Sequence, residues 1–353
     1  MGELPYKDFH FGYGPLVALI PGLALLWSGN AGIIFAANGL IVSSILLFSA
    51  LIILPRRLTT FASLLIFLFA WLLIAIPMGN MQSFSDITWG AFYNRQGWAA
   101  LIIIFVFYIE PVNTGAWSKR LDSVALALLL LFELGNKLPF AVVAFGFVLI
   151  NSTISRYNRH ISLLSLLLVT LTVVAEEVFL GLAAPYFHNI LAVSKSLKGG
   201  RLGLWDFITI LIDNAPIILA SLGAVMAVRA VGRRSIFDWL YTTGVIASVV
   251  LLLTTIGAGS ERGAFAIFVV FIILGELARR VEMEKDEISS SQTILIWKNH
   301  IASLGCLFIA AAFIATESAN RLLAWHDFFT KVQQGVTASN TPPRLSQILV
   351  PDW

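Results

Sequence analysis

Long apolar runs recur along this chain of 353 residues, each bounded by short polar stretches. A helix needs roughly 20 apolar residues to cross the hydrocarbon core of a bilayer. Runs near that length read as spans at 11–28, 31–54, 58–78, 98–113, 122–135, 138–153, 161–183, 207–228, 239–257, 263–279 and 299–316. Hydrophobic residues make up 58% of the chain and charged residues 12%, against about 25% charge in a soluble domain. With a mean hydropathy of +0.86, a water-soluble fold of this size could not hide so much apolar surface. The expected class is therefore all-α: a polytopic transmembrane helical bundle of about eleven spans over 1–316. The remainder, 317–353, reads as a tail with an interfacial helix, because Leu322, Trp325, Phe328 and Phe329 alternate at helical spacing with Glu317, Arg321 and Lys331.

Direction follows from the basic residues. Cytoplasmic loops of membrane proteins carry an excess of Lys and Arg. With the N-terminus inside, more than half of the 23 basic residues are cytoplasmic, among them Arg56, Arg57, Lys119, Arg120, Arg156 and Arg159. The C-terminus then faces out. Residues 122–153 allow one long tilted helix or a hairpin of two spans turning at Glu133, Asn136 and Lys137. The single helix would carry Arg56, Arg57, Lys119 and Arg120 to the outside, so the charge distribution favours the hairpin. Glu133 and Lys137 read as a structural pair. Tryptophans at 27, 89, 98, 117, 205, 239 and 297 fall near span ends, as an interfacial belt requires. The N-terminal segment MGELPYKDFH lacks the basic start of a cleavable signal, so the first span is expected to be retained. The lone Cys306 makes no internal disulfide and suggests no metal. A net charge of +3 gives no sign of nucleic acid as a partner.

Charges inside a membrane are costly and usually functional, and here they gather towards the outer side. Glu176 and Glu177 fall roughly 10 Å below the outer end of their span, at 1.5 Å per residue. Asp213 and Asn214 fall about as deep in the next. Between those spans, PYFHNILAVSKSLKGGRLGLWD (185–206) reads as an outer loop carrying His188, Asn189, Lys195, Lys198 and Arg201. A second outer loop, 81–98, offers Asp86, Tyr93, Asn94 and Arg95, and a tight Gly-rich turn near 257–263 offers Glu261 and Arg262. Guanidinium groups bind phosphate through two parallel hydrogen bonds and lysines add point charge. Arg262, Arg95, Lys195, Lys198 and Arg201 are thus candidate substrate-binding residues for a phosphate or diphosphate. His188, Glu176, Glu177 and Asp213 are candidate general bases. No cofactor is implied; membrane lipids and a lipid-linked oligosaccharide are the expected partners.

The stretch TTIGAGSERGAFAIFVVFIIL (254–274) resembles a signature of the O-antigen ligase and polymerase family, in which an apolar span ends in a Thr/Ser-Arg-Gly turn and a second apolar span follows. The resemblance implies a metal-independent transfer of undecaprenyl-diphosphate-linked glycan at the outer face of the bacterial inner membrane, with Arg262 on the lipid diphosphate. His188-Asn189 is similar to a His-Asn pair of that family. Three features differ: Glu261 interrupts the Ser-Arg step, His188-Asn189 precedes the Arg-Gly span instead of following it, and the family's large outer loop between late helices is absent, the C-terminal tail being the one segment that could stand in for it. A transporter or flippase of an envelope precursor, and a non-catalytic membrane subunit of an envelope complex, are the alternatives that the same residues leave open.

Overall fold

The structure is a computed structural model. It describes residues 14–28, 33–75, 89–112 and 114–196, with single positions between 208 and 326. The expected spans at 207–228, 239–257, 263–279 and 299–316 and the tail 317–353 lie outside the described residues, apart from those single positions. So do Asp86, Lys198, Arg201, Asp213, Asn214, Glu261 and Arg262.

Among the described residues the secondary structure is entirely helical. The helices are α1 (Pro15–Ser28), α2 (Ile33–Arg57), α3 (Thr60–Ala75), α4 (Trp89–Phe105), α5 (Ala116–Asn136), α6 (Leu138–Ile154), α7 (Arg156–Leu180) and α8 (Ala183–Ser196). Two of them, over Ala37–Arg57 and Arg156–Leu180, are long and apolar enough to cross a membrane. Those over Pro15–Trp27, Thr60–Ile74 and Leu138–Ile154 are apolar but shorter.

Local chemistry sets the boundaries. Pro15 opens α1, where a missing N–H costs nothing. Pro139 lies in the first turn of α6; its ring and absent N–H end the preceding helix, and Lys137 between them is extended (φ −156°, ψ 127°). Ser155 caps α7 by accepting a hydrogen bond from the Asn158 N–H at 3.1 Å. Gly181 closes α7 in the left-handed region (φ 60°), its N–H donating to the carbonyls of Glu176 and Glu177.

Contacts between helices fix their directions. Trp98 meets Phe140, Phe105 meets Phe147, and the Asn151 side chain donates to the Phe107 carbonyl, so α4 and α6 run parallel. Asn136 of α5 reaches the Tyr93 carbonyl at the start of α4, while Arg57 bridges Ile109, just past the end of α4, to Asp122 near the start of α5. Helix α5 therefore runs antiparallel to α4, and α5 and α6 form the hairpin the charge distribution favours. Ser165 donates to the Ser123 carbonyl, so α7 sets off along α5 in the same direction.

Helix α4 is the axis of the bundle. Every residue from Tyr93 to Ile109, through the 3-10 turn Val106–Tyr108, is buried. Around it pack Leu46, Ile53, Phe69, Leu129, Phe140 and Val148, with Tyr241 stacked on Tyr108 at 4.0 Å between ring centroids. Gly97 faces the Phe140 ring so closely that a Cβ would lie 2.8 Å from it, and α1 starts against α5 with Gly14 beside Gly135. Small residues at such crossings let helices approach without a driving force from water.

Two expectations are corrected here. The fourth helix begins at Trp89, not at 98, so Tyr93, Asn94 and Arg95 are helical and buried, not part of an outer loop. The polar run YNRQ masks the helix in a hydropathy reading, but the Tyr93 carbonyl accepts from Asn136 at the end of α5 and Asn94 from Lys137 just beyond it. Trp98 is accordingly interior, 2% exposed, and not interfacial. Further on, residues 183–196 form α8 where a loop is expected.

Helix α7 buries several polar side chains beside Ile161 and Val169 and exposes mostly apolar ones. Tyr157, Asn158, Ser162 and Ser165 are buried, whereas Leu163, Leu167, Leu171, Val174 and Val178 form an exposed stripe at helical spacing. A helix facing water has the opposite arrangement, and soluble monomers rarely expose apolar patches of that extent. A bilayer is the solvent that suits this face.

Candidate functional site

Polar side chains collect at the two ends of the bundle, about 21 Å apart along α5 at 1.5 Å per residue from Asp122 to Asn136.

The first end is built on Asp122, which is fully buried. Its carboxylate accepts from Arg56 Nη1 at 2.7 Å, Arg57 Nη2 at 2.5 Å and the Tyr157 hydroxyl at 2.9 Å. Arg57, itself without exposed surface on its side chain, also donates to the Ile109 carbonyl and lies over the Phe107 ring at 4.5 Å. One carboxylate thus ties α2, α5 and α7 together. Next to it Thr59 precedes α3, and its N–H and hydroxyl both donate to Glu276, a buried residue from the second half of the chain. An acid at a helix N-terminus is favoured by the helix dipole. Neither Asp122 nor Glu276 is among the expected functional residues. The signal for Asp122 is nonetheless in the sequence: a lone acid at a span entrance (KRLD, 119–122) facing an Arg-Arg pair at another span end (56–57). Glu276, in GELARR, carries no such signal, because its partner is a threonine 217 positions away.

The opposite end joins the starts of α4 and α6 to the ends of α5 and α7. Asn136 donates to the Tyr93 carbonyl at 2.8 Å, and Lys137 Nζ donates to Asn94 Oδ1 at 3.1 Å while lying 5.1 Å from the Tyr93 ring centre. The expected Glu133–Lys137 pair is not formed. Helix α5 ends between the two residues, and the lysine turns to α4 instead. Beside them is a cavity of about 10 Å³, lined by Asn38, Tyr93, Gln96, Phe132 and Asn136 among others. That is the room of one water molecule.

The sequence-predicted residues divide as follows. Arg95 is buried on α4 at this polar end, 3% exposed. Glu176 and Glu177 lie in the final turns of α7, which stops at Leu180, so they stand nearer the helix terminus than a span to 183 implies. Glu177 accepts from the Ala184 N–H at 2.9 Å and so caps α8. Helix α8 docks back on α5 through Tyr186, whose hydroxyl donates to the Leu134 carbonyl at 2.9 Å. Burial, and then the nearby Glu176 carboxylate, push that hydroxyl well above its usual range, so it remains a donor. His188 is exposed on α8, and its neighbour Asn189 is buried with its amide donating to the Pro185 carbonyl. Lys195 falls in the last turn of α8. Arg95, Glu176, Glu177 and His188 thus belong to one end of the bundle, the end away from Arg56 and Arg57. Among the described residues no group of three or more His, Cys, Asp or Glu is placed to hold a metal ion.

Comparison of the chain with protein-family models, with curated proteins and with solved structures finds no match.

Proposed function

We propose that the chain is a multi-pass protein of a bacterial inner membrane, with about eleven spans, that transfers or polymerises a lipid-diphosphate-linked glycan at the outer face; the start of α1, with Gly14 donating to the Asn136 carbonyl, lies at the end of the bundle that this reading turns outward, so the expected cytoplasmic N-terminus is not part of it. The observation that carries this reading is the polarity of the bundle. Arg56, Arg57, Lys119, Arg120, Arg156 and Arg159 stand at helix termini around Asp122, whereas Arg95, Glu176, Glu177 and His188 belong to the other end. The positive-inside rule makes the first end cytoplasmic. The second then meets the outer leaflet, where lipid-linked glycans are used. In the transfer, an acceptor hydroxyl oxygen bonds to the anomeric carbon and the bond from that carbon to the diphosphate oxygen breaks. A base such as His188 or Glu176 takes the hydroxyl proton, and lipid diphosphate leaves, held by Arg262 and Arg95.

A transporter or flippase of an envelope precursor is the second reading. The observation that favours it is Glu133, an acid buried inside the bundle as in many proton-coupled carriers. Reconstitution of the full chain in lipid vesicles with a lipid-diphosphate-linked oligosaccharide separates the two. Transfer predicts a glycan of higher mass with release of lipid diphosphate, reduced at least tenfold by Arg262→Ala. Movement of the donor between leaflets with no change in mass would replace the enzyme reading by the carrier.

A further inference from the structure

Glu133 is the most exceptional side chain of the bundle. It is fully buried in the last turn of α5. Among the described residues neither of its carboxylate oxygens accepts a hydrogen bond, and it joins no ion pair. Asp122, on the same helix and equally buried, has three donors. Removing an ionised carboxylate from water without a partner costs several kcal/mol even after relaxation, whereas a protonated carboxyl is neutral and resembles an amide in its needs.

Among the described residues the groups able to answer its charge are few. On its own strand of chain there is Lys137, now committed to Asn94. Helix α4 brings Tyr93 and Arg95 to this end, α7 brings Glu176 and Glu177, and α8 brings Tyr186 and His188. Helices α1, α2 and α6 contribute no charged residue here. Only Lys137 combines a positive charge with a position one turn from Glu133 in sequence. The cavity at this end of the bundle, lined by Phe132 and Asn136 of the same helix, has room for a water, and Gln96 Nε2, buried on its wall, has no acceptor among the described residues.

We propose that Glu133 is a proton-binding site inside the bundle, and that its ionisation draws Lys137 from Asn94 to the carboxylate, so that the start of α4 loses that hydrogen bond and keeps the one from Asn136 to the Tyr93 carbonyl. The proton passes to water at the polar end, Lys137 keeps its charge throughout, and Asn94 Oδ1 loses its donor. This does not depend on whether the chain transfers or transports a glycan.

The test uses the full chain in lipid nanodiscs. Difference infrared spectroscopy at neutral pH is expected to show a protonated-carboxyl C=O band that shifts in D2O and is absent from Glu133→Gln. Raising the pH bleaches that band. Hydrogen exchange over 89–96, corrected for its intrinsic pH dependence, then accelerates severalfold in the wild type and stays constant in Glu133→Gln. Glutamine mimics the protonated acid, so that variant is expected to fold with the wild-type melting temperature. No carboxyl band separating wild type from Glu133→Gln, or a Glu133→Gln protein that fails to fold, would overturn the proton site. A band that bleaches with no change in exchange would overturn the movement of Lys137.

Discussion

Asp122 shows what a single residue does in this interior. With two guanidinium groups and a phenol on its oxygens, it is fully satisfied, but Arg57 depends on it in return. Asp122→Ala strands a buried guanidinium, and breaking a buried pair in this way costs about 3–5 kcal/mol. A thermal melt of the detergent-purified protein is expected to drop accordingly. Arg56→Ala is expected to drop it less, since the Arg56 side chain is 23% exposed and can be replaced by water. At this scale the sequence is only partly legible. The acid and the Arg-Arg pair are visible in it, but their pairing across 65 positions is a tertiary fact. The Glu133–Lys137 spacing misleads for a related reason: an i, i+4 rule holds only while the helix continues, and Pro139 ends it.

Elements are more legible where apolar composition alone decides them. Helices α2, α3, α6 and α7 fall within a few residues of the apolar runs that predict them, because a helix in lipid must satisfy all its backbone groups internally. Helix α4 is misjudged by nine residues at its start, because Asn94, Arg95 and Gln96 look like loop and are instead covered by neighbouring helices. Helix α8 is missed because its amphipathic sequence reads as an outer loop. The inside-out character of α7 can be tested directly. Leu171→Arg places a charge on the exposed stripe midway along the helix. In a membrane this opposes insertion by about 2.5–3.5 kcal/mol, whereas on a water-exposed surface it is nearly neutral. Loss of membrane-inserted protein in a fractionation assay is the expected outcome; normal yield of a soluble chain would remove the bilayer from the account of this face.

For the molecule as a whole, the proposed orientation rests on the basic residues and the helix directions together. In a Cys306→Ser background, Thr114→Cys marks the basic end and His188→Cys the polar end, both at exposed positions. A membrane-impermeant thiol reagent applied to intact cells is expected to label the second and to reach the first only after permeabilisation. The reverse pattern would invert the molecule and place Arg95, Glu176 and His188 in the cytoplasm. The hairpin of α5 and α6 is the hinge of this argument. The charge distribution foreshadows it, and the helix contacts establish it. The residues carrying the family resemblance, Arg262 and its neighbours, lie outside the described residues, so the glycan reading rests on the polarity of the bundle and not on their geometry.

The enclosure of α4 has a consequence for how the chain is made. A helix holding Tyr93, Asn94, Arg95 and Gln96 in its first turns has nowhere to settle in lipid by itself. The partners that satisfy Tyr93 and Asn94 lie at Asn136 and Lys137, some forty residues later in synthesis. Until the ribosome has delivered the end of α5, the newly made helix lacks the groups that satisfy its first turns, and its polar start is an unfinished surface.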